Sequence, residues 1–181
     1  MSLPVTEVER ELLHTRRVRY EGYKRADGLW DIEAHLTDIK NHDYHLKTGV
    51  RRAGQPVHSM WLRLTIDRKF NIVDAVASSE VVPYPDGCEA IAPAYRCLVG
   101  LNLVRNFRKS VRDLLGGVRG CTHLTEMLAG MPTAAIQSFA GEVKQEENQK
   151  PFQLDQCHAL ETSTETVRRW YPKWYRKEKT A

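Results

Sequence analysis

The sequence lacks the features that mark several large protein classes. None of its 181 residues belongs to an apolar run of the roughly 18 residues that a membrane-spanning helix requires. Its start, MSLPVTEVERELLHTRR, has no apolar stretch of the kind found in secretion signals. We therefore expect a cytoplasmic protein without a membrane partner, in which all four cysteines are free thiols. No Cys-x-x-Cys pair is present, which argues against a zinc ribbon and a thioredoxin-type redox pair.

Several catalytic motifs are also missing. The sequence contains no G-x-G-x-x-G, no G-x-x-x-x-G-K-[ST], no G-x-S-x-G and no H-E-x-x-H. Dinucleotide redox chemistry, P-loop phosphoryl transfer and α/β-hydrolase catalysis are therefore unsupported. Among enzyme classes, this leaves proton-transfer chemistry without a cofactor as the economical hypothesis.

The composition is that of a globular protein, with 41% hydrophobic and 28% charged residues. The length predicts a single domain over residues 1–181. The net charge of +4 is mild, and its most basic stretch, VRRWYPKWYRKEK, interleaves cations with four aromatic residues. That pattern can bind nucleic acid, but we expect the aromatics to dock on the domain with the cations facing water. The oligomeric state is left open, and a homo-oligomer is compatible with the sequence.

The first 85 residues have the pattern of β-strands. In GLWDIEAHLTD, apolar residues alternate with polar ones, which is typical of a strand with one buried face. The preceding RRVRYEGYKR pairs with it through an ADG turn. A second antiparallel pair follows in SMWLRLTID and FNIVDAVASSEVV. Its first strand places four apolar residues on one side: Met60, Leu62, Leu64 and Ile66.

Residues 86–181 have the pattern of helices. RNFRKSVRDLL spaces its apolar residues at three and four and ends at a Gly-Gly pair. Thr122 is expected to cap the next helix, HLTEML, and Gly130 to close it; Pro132 is expected at the first position of PTAAIQSFAG. A last helix in STETVRRWY is expected to open at Ser163 or Thr164. Strands followed by helices predict an α+β domain, an antiparallel sheet covered by helices.

The segment RGCTHLTEML places a thiol and an imidazole at the start of a helix. Cys121 is well placed there to be reactive or to bind a metal, because free amides stabilise its thiolate; both residues could equally be packing elements. His58 and Cys88 stand where loops present side chains to a cleft. The four residues, His58, Cys88, Cys121 and His123, would suit zinc or an iron–sulfur cluster.

Residues 56–140 resemble the core of the NifU and IscU iron–sulfur scaffold proteins and the related SufE fold. The resemblance lies in PVHSMWLRLTID, DGCEAIAPA and GCTHLTEMLAGMPTAAIQ. It places His58 at the first ligand position, Cys88 at the second, and Cys121 and His123 near the third and fourth. A histidine stands where that family has its first cysteine, and the spacing of Cys121 and His123 differs. The resemblance implies a metal-binding or iron–sulfur accessory protein.

Nearly the whole chain resembles an uncharacterised bacterial family, a domain of unknown function that shares DGLWDIEAHLTDIK and GCTHLTEML…PTAA. We associate this family with bacteria that degrade aromatic compounds. The resemblance implies no established activity, but it directs attention to small aromatic metabolites.

The N-terminal hairpin carries a second group of candidate residues. Asp31 and Glu33 project from the polar face of their strand and could serve in acid–base chemistry if that face bends over a cleft; otherwise they face water. Arg17 could hold a substrate anion, although a cross-strand salt bridge is the more ordinary role. Four aromatic side chains are candidates for lining a pocket: Tyr20, Tyr23, Trp30 and Trp61.

These observations lead to one principal hypothesis and two alternatives. The principal hypothesis is a cofactor-independent lyase or isomerase, such as a retro-aldol enzyme that releases an aldehyde from a small aromatic metabolite. Its base would be His58 or His123, with Glu33 or Asp31 as orienting partner or acid. The alternatives are the metal-binding protein and a noncatalytic domain that binds a small ligand.

Overall fold

The computed structural model describes residues 3–142 and 148–177. The chain forms two compact units, Met1–Ala140 and Gly141–Ala181. The first unit is an antiparallel β-sheet with helices after it in sequence, which confirms the predicted α+β class.

Four strands form the main sheet, in the spatial order β1-β2-β5-β6. Their bounds are β1 His14–Lys24, β2 Trp30–Lys40, β5 Pro56–Ile66 and β6 Ile72–Val81. All neighbouring strands are antiparallel. Between β2 and β5 the chain makes a small separate hairpin from β3, Tyr44–Leu46, and β4, Gly49–Arg51. The predicted strand pairs are therefore confirmed. The small hairpin was not predicted, because the segment between β2 and β5 is polar and has no strand pattern.

The helical part of the first unit follows the predicted segments closely. A 3₁₀ segment covers Glu89–Leu98, and a shorter one covers Gly117–Arg119. The α-helices are α1, Phe107–Leu115, α2, Thr122–Met127, and α3, Met131–Phe139. Three predicted boundary residues differ. Cys121, not Thr122, is the N-cap of α2, and Met131 rather than Pro132 is the first residue of α3. Gly130 does not close α2, which has Leu128 as its C-cap, and is the N-cap of α3 instead.

The core lies between the sheet and the helices. The even-numbered residues from Trp30 to Asp38 in β2 and from Met60 to Ile66 in β5 are buried. Leu36 and Leu64 are not accessible to solvent at all. They pack in one cluster with helical side chains such as Met127 and Ala135. The period-two pattern of the strands thus selects the face that the helices cover.

In the second unit, the described residues 148–177 include the short α-helix α4, Glu165–Trp170, and 3₁₀ turns at His158–Leu160 and Pro172–Trp174. Thr164 caps α4, since its side chain accepts a hydrogen bond from the Val167 backbone N–H. The expected docking of the C-terminal aromatics is wrong for Trp170, whose side chain is exposed.

The buried face gives a direct test of the sheet assignment. We expect Leu64→Ala to lower the free energy of unfolding by roughly 2–5 kcal/mol, because it leaves a cavity in a packed core. Leu114→Ala is the control, since Leu114 lies on α1 and is 40% exposed; its effect should stay within about 0.5 kcal/mol. Urea denaturation of both variants measures the difference, and equal losses would contradict the assigned core.

Candidate active site

A row of polar side chains crosses the helix-covered face of the sheet near one end. Arg16 on β1 lies opposite Asp38 on β2, and Asp38 lies opposite His58 on β5. Asp38 follows Leu36 on the buried face of β2, and His58 precedes Met60 on the buried face of β5. The apolar face of the sheet therefore ends in a cation, a carboxylate and an imidazole.

Asp38 is the centre of this row and is only 4% exposed. Arg16 donates two hydrogen bonds to it, from Nε to Oδ1 and from Nη2 to Oδ2, each 2.8 Å long. His14 Nε2 lies 2.8 Å from Asp38 Oδ1, and because an ionised carboxylate only accepts, the shared proton sits on His14. Arg16 also donates from Nη1 to Glu126 Oε2 on α2, at 2.5 Å. The guanidinium of Arg16 on β1 therefore bonds to carboxylates on both β2 and α2.

These contacts keep Asp38 ionised. Burial acts to raise the pKa of its carboxyl group, but the hydrogen bonds from Arg16 and His14 and the charge of Arg16 outweigh it, so the pKa falls to about 2. A buried carboxylate of this kind is stable only while its cationic partner stays in place.

His58 lies between Asp38 and open space. Its Nδ1 is 3.1 Å from Asp38 Oδ2, an ion-pair distance, although the two atoms are poorly aligned for a hydrogen bond. Burial lowers the pKa of His58 below its usual value, and the neighbouring His123 acts in the same direction, while Asp38 acts against both. His58 is therefore an uncharged imidazole at neutral pH.

His123, in the first turn of α2, completes the group. Its ring lies 3.9 Å from that of His58, centroid to centroid, and its Nε2 is 3.8 Å from Asp38 Oδ2. Its Nδ1 is 3.9 Å from the sulfur of Cys121. Burial raises the pKa of the Cys121 thiol, but the hydrogen bond with His123 and backbone N–H groups of the same turn outweigh it, and the net pKa is lowered.

These side chains open into a cavity of about 340 Å³, within the size range of small-molecule sites. Its walls are mainly apolar and aromatic: Tyr44, Leu46, Val57, Met60, Pro83 and Tyr84. The β3–β4 hairpin forms one side and is fixed there by Thr48, whose hydroxyl donates to the Pro83 carbonyl at 2.7 Å. The cavity is therefore an apolar binding volume with two histidines, His58 and His123, in its lining.

Four of the predicted site residues meet in this cavity: His58, Cys88, Cys121 and His123 all line it. Asp31 and Glu33 do not. They lie on the opposite face of β2, where Asp31 accepts a hydrogen bond from Thr65 at 2.6 Å and Glu33 lies 3.7 Å from Arg63. The expected pairing of these two carboxylates with a histidine is therefore wrong, because odd-numbered residues of β2 point away from the core.

The predicted substrate-binding residues also lie elsewhere. Trp30 is a core residue whose ring packs 4.5 Å from that of Phe139. Tyr20 donates from its hydroxyl to the Met127 carbonyl. The other three are on the outer face of the sheet: Arg17 and Tyr23 are exposed on β1, and Trp61 stacks on His35.

Three side chains of the site have the spacing of metal ligands. In the described part of the chain, Asp38, His58 and His123 each offer a ligand atom within 4.8 Å of the others. Neither cysteine of the proposed tetrahedral set belongs to that group. Both oxygens of Asp38 are already bound by Arg16, so a divalent cation there would lie beside a guanidinium, which is electrostatically unfavourable.

Four residues of the site were not among the predicted catalytic, substrate-binding or metal residues: His14, Arg16, Asp38 and Glu126. A signal for one of them, Asp38, exists in the sequence. Counting in twos from Trp30 along the apolar face of β2 reaches Asp38, and counting back from Met60 reaches His58. A polar side chain on an otherwise apolar strand face needs a partner, and β1 was the place to seek it.

The model of a family described as "Protein of unknown function (DUF2889)" matches residues 14–137. The chain belongs to this family. The matched segment begins at His14 and includes every residue of the site, so the candidate active site lies within the DUF2889 region. No curated protein and no solved structure matches the chain.

The lowered pKa of Asp38 predicts a pH-dependent contribution to stability. The unfolded-state pKa is about 3.9 and the folded value about 2, so the ionised carboxylate stabilises the fold by about 2 kcal/mol above pH 4. This contribution is lost as the pH falls through 2. Asp38→Asn should therefore be less stable than wild type at pH 7, and the two should converge at low pH.

Asp113→Asn is the control for this measurement. Asp113 makes an exposed ion pair with Lys109 on one helix, and such pairs contribute little. Urea denaturation from pH 7 down to pH 2.5 would follow all three proteins. A constant difference between wild type and Asp38→Asn across that range would contradict the ionised, Arg16-bound state of Asp38.

Proposed function

We propose that this DUF2889 protein is a lyase or isomerase that works by acid–base chemistry, without a cofactor, on a small aromatic metabolite. One observation supports this most: uncharged His58 lies between ionised Asp38 and an apolar cavity. Tyr44 and Tyr84 offer aromatic walls for a ring. A small set of titratable groups at one end of an apolar pocket is a common arrangement in enzyme sites.

In the proposed mechanism His58 is the base. It takes a proton from a substrate hydroxyl, and Asp38, 3.1 Å away, stabilises the imidazolium that forms. In a retro-aldol reaction the oxygen then forms a carbonyl as the adjacent C–C bond breaks. The electron pair moves into the carbonyl or aromatic system of the remaining fragment, and an aldehyde leaves. The proton taken up by His58 then returns to that fragment by way of His123, which packs against His58, so the site ends in its starting protonation state.

Arg16 and His14 act on this reaction through Asp38. They hold both carboxylate oxygens in fixed positions, so Asp38 stays ionised when His58 becomes charged. This replaces the predicted roles of Asp31 and Glu33 with a carboxylate on the correct face of the sheet.

The described residues, 3–142 and 148–177, include no helix long and apolar enough to cross a membrane. A cytoplasmic location and a small aromatic substrate remain part of the proposal.

The proposal predicts a specific dependence on His58. Aromatic alcohols and β-hydroxy carbonyl compounds would be screened for conversion by mass spectrometry, with a colorimetric test for released aldehyde. For any substrate found, His58→Ala should lower kcat/KM by roughly 10²- to 10⁴-fold. The wild-type kcat/KM should be constant at neutral pH and fall only below about pH 6.5, because the pKa of the base is lowered.

His42→Ala is the matched control, since His42 is an exposed histidine between β2 and β3, and it should retain full activity. Unchanged turnover in a variant in which both His58 and His123 are replaced by alanine would rule out the mechanism.

Metal content separates this proposal from the metal-binding alternative, which the spacing of Asp38, His58 and His123 favours. Protein purified without a histidine tag would be measured by inductively coupled plasma mass spectrometry, as wild type, Asp38→Asn and Cys121→Ser. The acid–base proposal expects well under one metal ion per chain in all three. One zinc or iron per chain in wild type, lost in Asp38→Asn, would replace it with a metal site.

A further inference from the structure

Cys121, His123 and Asp38 form a connected series of three groups. The sulfur of Cys121 lies 3.9 Å from Nδ1 of His123, and the other ring nitrogen of His123, Nε2, lies 3.8 Å from Asp38 Oδ2. A thiol, an imidazole and an orienting carboxylate in this order are the components of an activated cysteine nucleophile. One ring nitrogen of His123 is within hydrogen-bond distance of the thiol, and the other is within ion-pair distance of the carboxylate.

The backbone at Cys121 is held rigidly. Tyr95 is fully buried, and its hydroxyl accepts a hydrogen bond from the Cys121 N–H at 3.1 Å. The same hydroxyl lies 3.0 Å from the Cys121 carbonyl oxygen and 2.7 Å from the Thr125 hydroxyl. A nucleophile needs a fixed position relative to its base, and this buried tyrosine supplies it from the core.

The thiol also faces a volume in which an electrophile could bind. Cys121 lines the same cavity as His58 and Tyr44. Cys88 lines this cavity too, whereas Cys97 and Cys157 are exposed elsewhere on the chain. The four free cysteines therefore differ in surroundings. Among the described residues, Cys121 is the cysteine whose sulfur contacts the His123–Asp38 pair.

We propose that Cys121 is a nucleophilic thiol that forms a reversible covalent adduct with an aldehyde bound in the cavity, with His123 as its base. The thiol proton moves to His123 Nδ1 as the sulfur attacks the carbonyl carbon. A C–S bond forms, the π electrons of the C=O bond move to oxygen, and that oxygen takes the proton back from His123. The product is a hemithioacetal, and no oxidant, reductant or leaving group is required.

The nucleophilic thiol goes beyond the proposed lyase function, and the choice of an aldehyde rests on that function, which releases one in the same cavity. The thiol forms a covalent bond through its sulfur, whereas the lyase mechanism moves protons through His58. The thiol chemistry does not require turnover of any substrate, so it can be tested before a substrate is known.

Alkylation by iodoacetamide tests the nucleophile. Wild-type protein would be treated at pH 7, and the rate at each cysteine followed by mass spectrometry of proteolytic peptides. We expect Cys121 to react about tenfold faster than the exposed Cys97 and Cys157, because thiolate character outweighs accessibility. His123→Gln should remove most of this advantage and leave Cys97 and Cys157 unchanged.

The wild-type comparison decides the matter even if the His123→Gln variant does not fold. Reaction of Cys121 at or below the rate of Cys157 would overturn the proposal. So would an unchanged Cys121 rate in a folded His123→Gln variant, because the thiol would then be reactive without its base.

Carbonyl-labelled ¹³C-benzaldehyde tests the class of electrophile. In wild type, a carbon resonance of a hemithioacetal should appear in the NMR spectrum on addition of the aldehyde. It should disappear in Cys121→Ser and persist in Cys97→Ser, a control at an exposed cysteine away from the cavity. Absence of the signal in wild type, or its persistence in Cys121→Ser, would overturn the assignment of an aldehyde to Cys121.

Discussion

The ion pair between Arg16 and Asp38 determines how this site is built. Asp38 is almost fully buried, and a carboxylate in that position needs a cation with matching geometry. Arg16 provides two parallel hydrogen bonds to it and a third contact to Glu126. Because one guanidinium binds a carboxylate on β2 and a carboxylate on α2, it sets the distance between the sheet and the helix that carries His123. The histidines meet as a consequence of that distance.

The fold follows from the sequence to a large extent because the signals are local. Trp30, Ile32, Ala34 and Leu36 alternate with polar residues, and a strand buried on one face is the simplest arrangement that satisfies this alternation. The Gly-Gly pair, the caps and the prolines marked the helices to within two residues. The β3–β4 hairpin was missed because its strands are three residues long and lack an apolar pattern, and its position depends on contacts such as that of Thr48 with Pro83.

The site was only half predictable. His58 and His123 were identified from their neighbours in sequence, but their carboxylate was sought among Asp31 and Glu33, which are conspicuous as a cluster and lie on the outer face. Asp38 stands alone at the end of the apolar face, and its importance depends on pairing with Arg16, 22 positions away in the sequence. Pairings of this kind depend on strand register, which residue types alone do not specify. The aromatic residues failed for a different reason. Trp30 is in phase with the buried residues of β2, and Trp61 is out of phase with the buried Met60 and Leu62 of β5. The alternation therefore assigns one to the core and the other to the outer face, and neither to the cavity.

β1 is an edge strand of the main sheet, where its neighbour is β2. His14 and Arg16 lie at the N-terminal end of β1, and strand ends open most readily. Local fraying there would uncover Asp38 and remove two of its donors at once, without unfolding the core formed by Leu36 and Leu64. The carboxylate would then take up a proton more easily, and His58 would lose the charge that stabilises its protonated form. The reactivity of the site is thus coupled to the first few residues of one strand, so anything that clamps that strand end against β2 would act as an activator at a distance from the cavity.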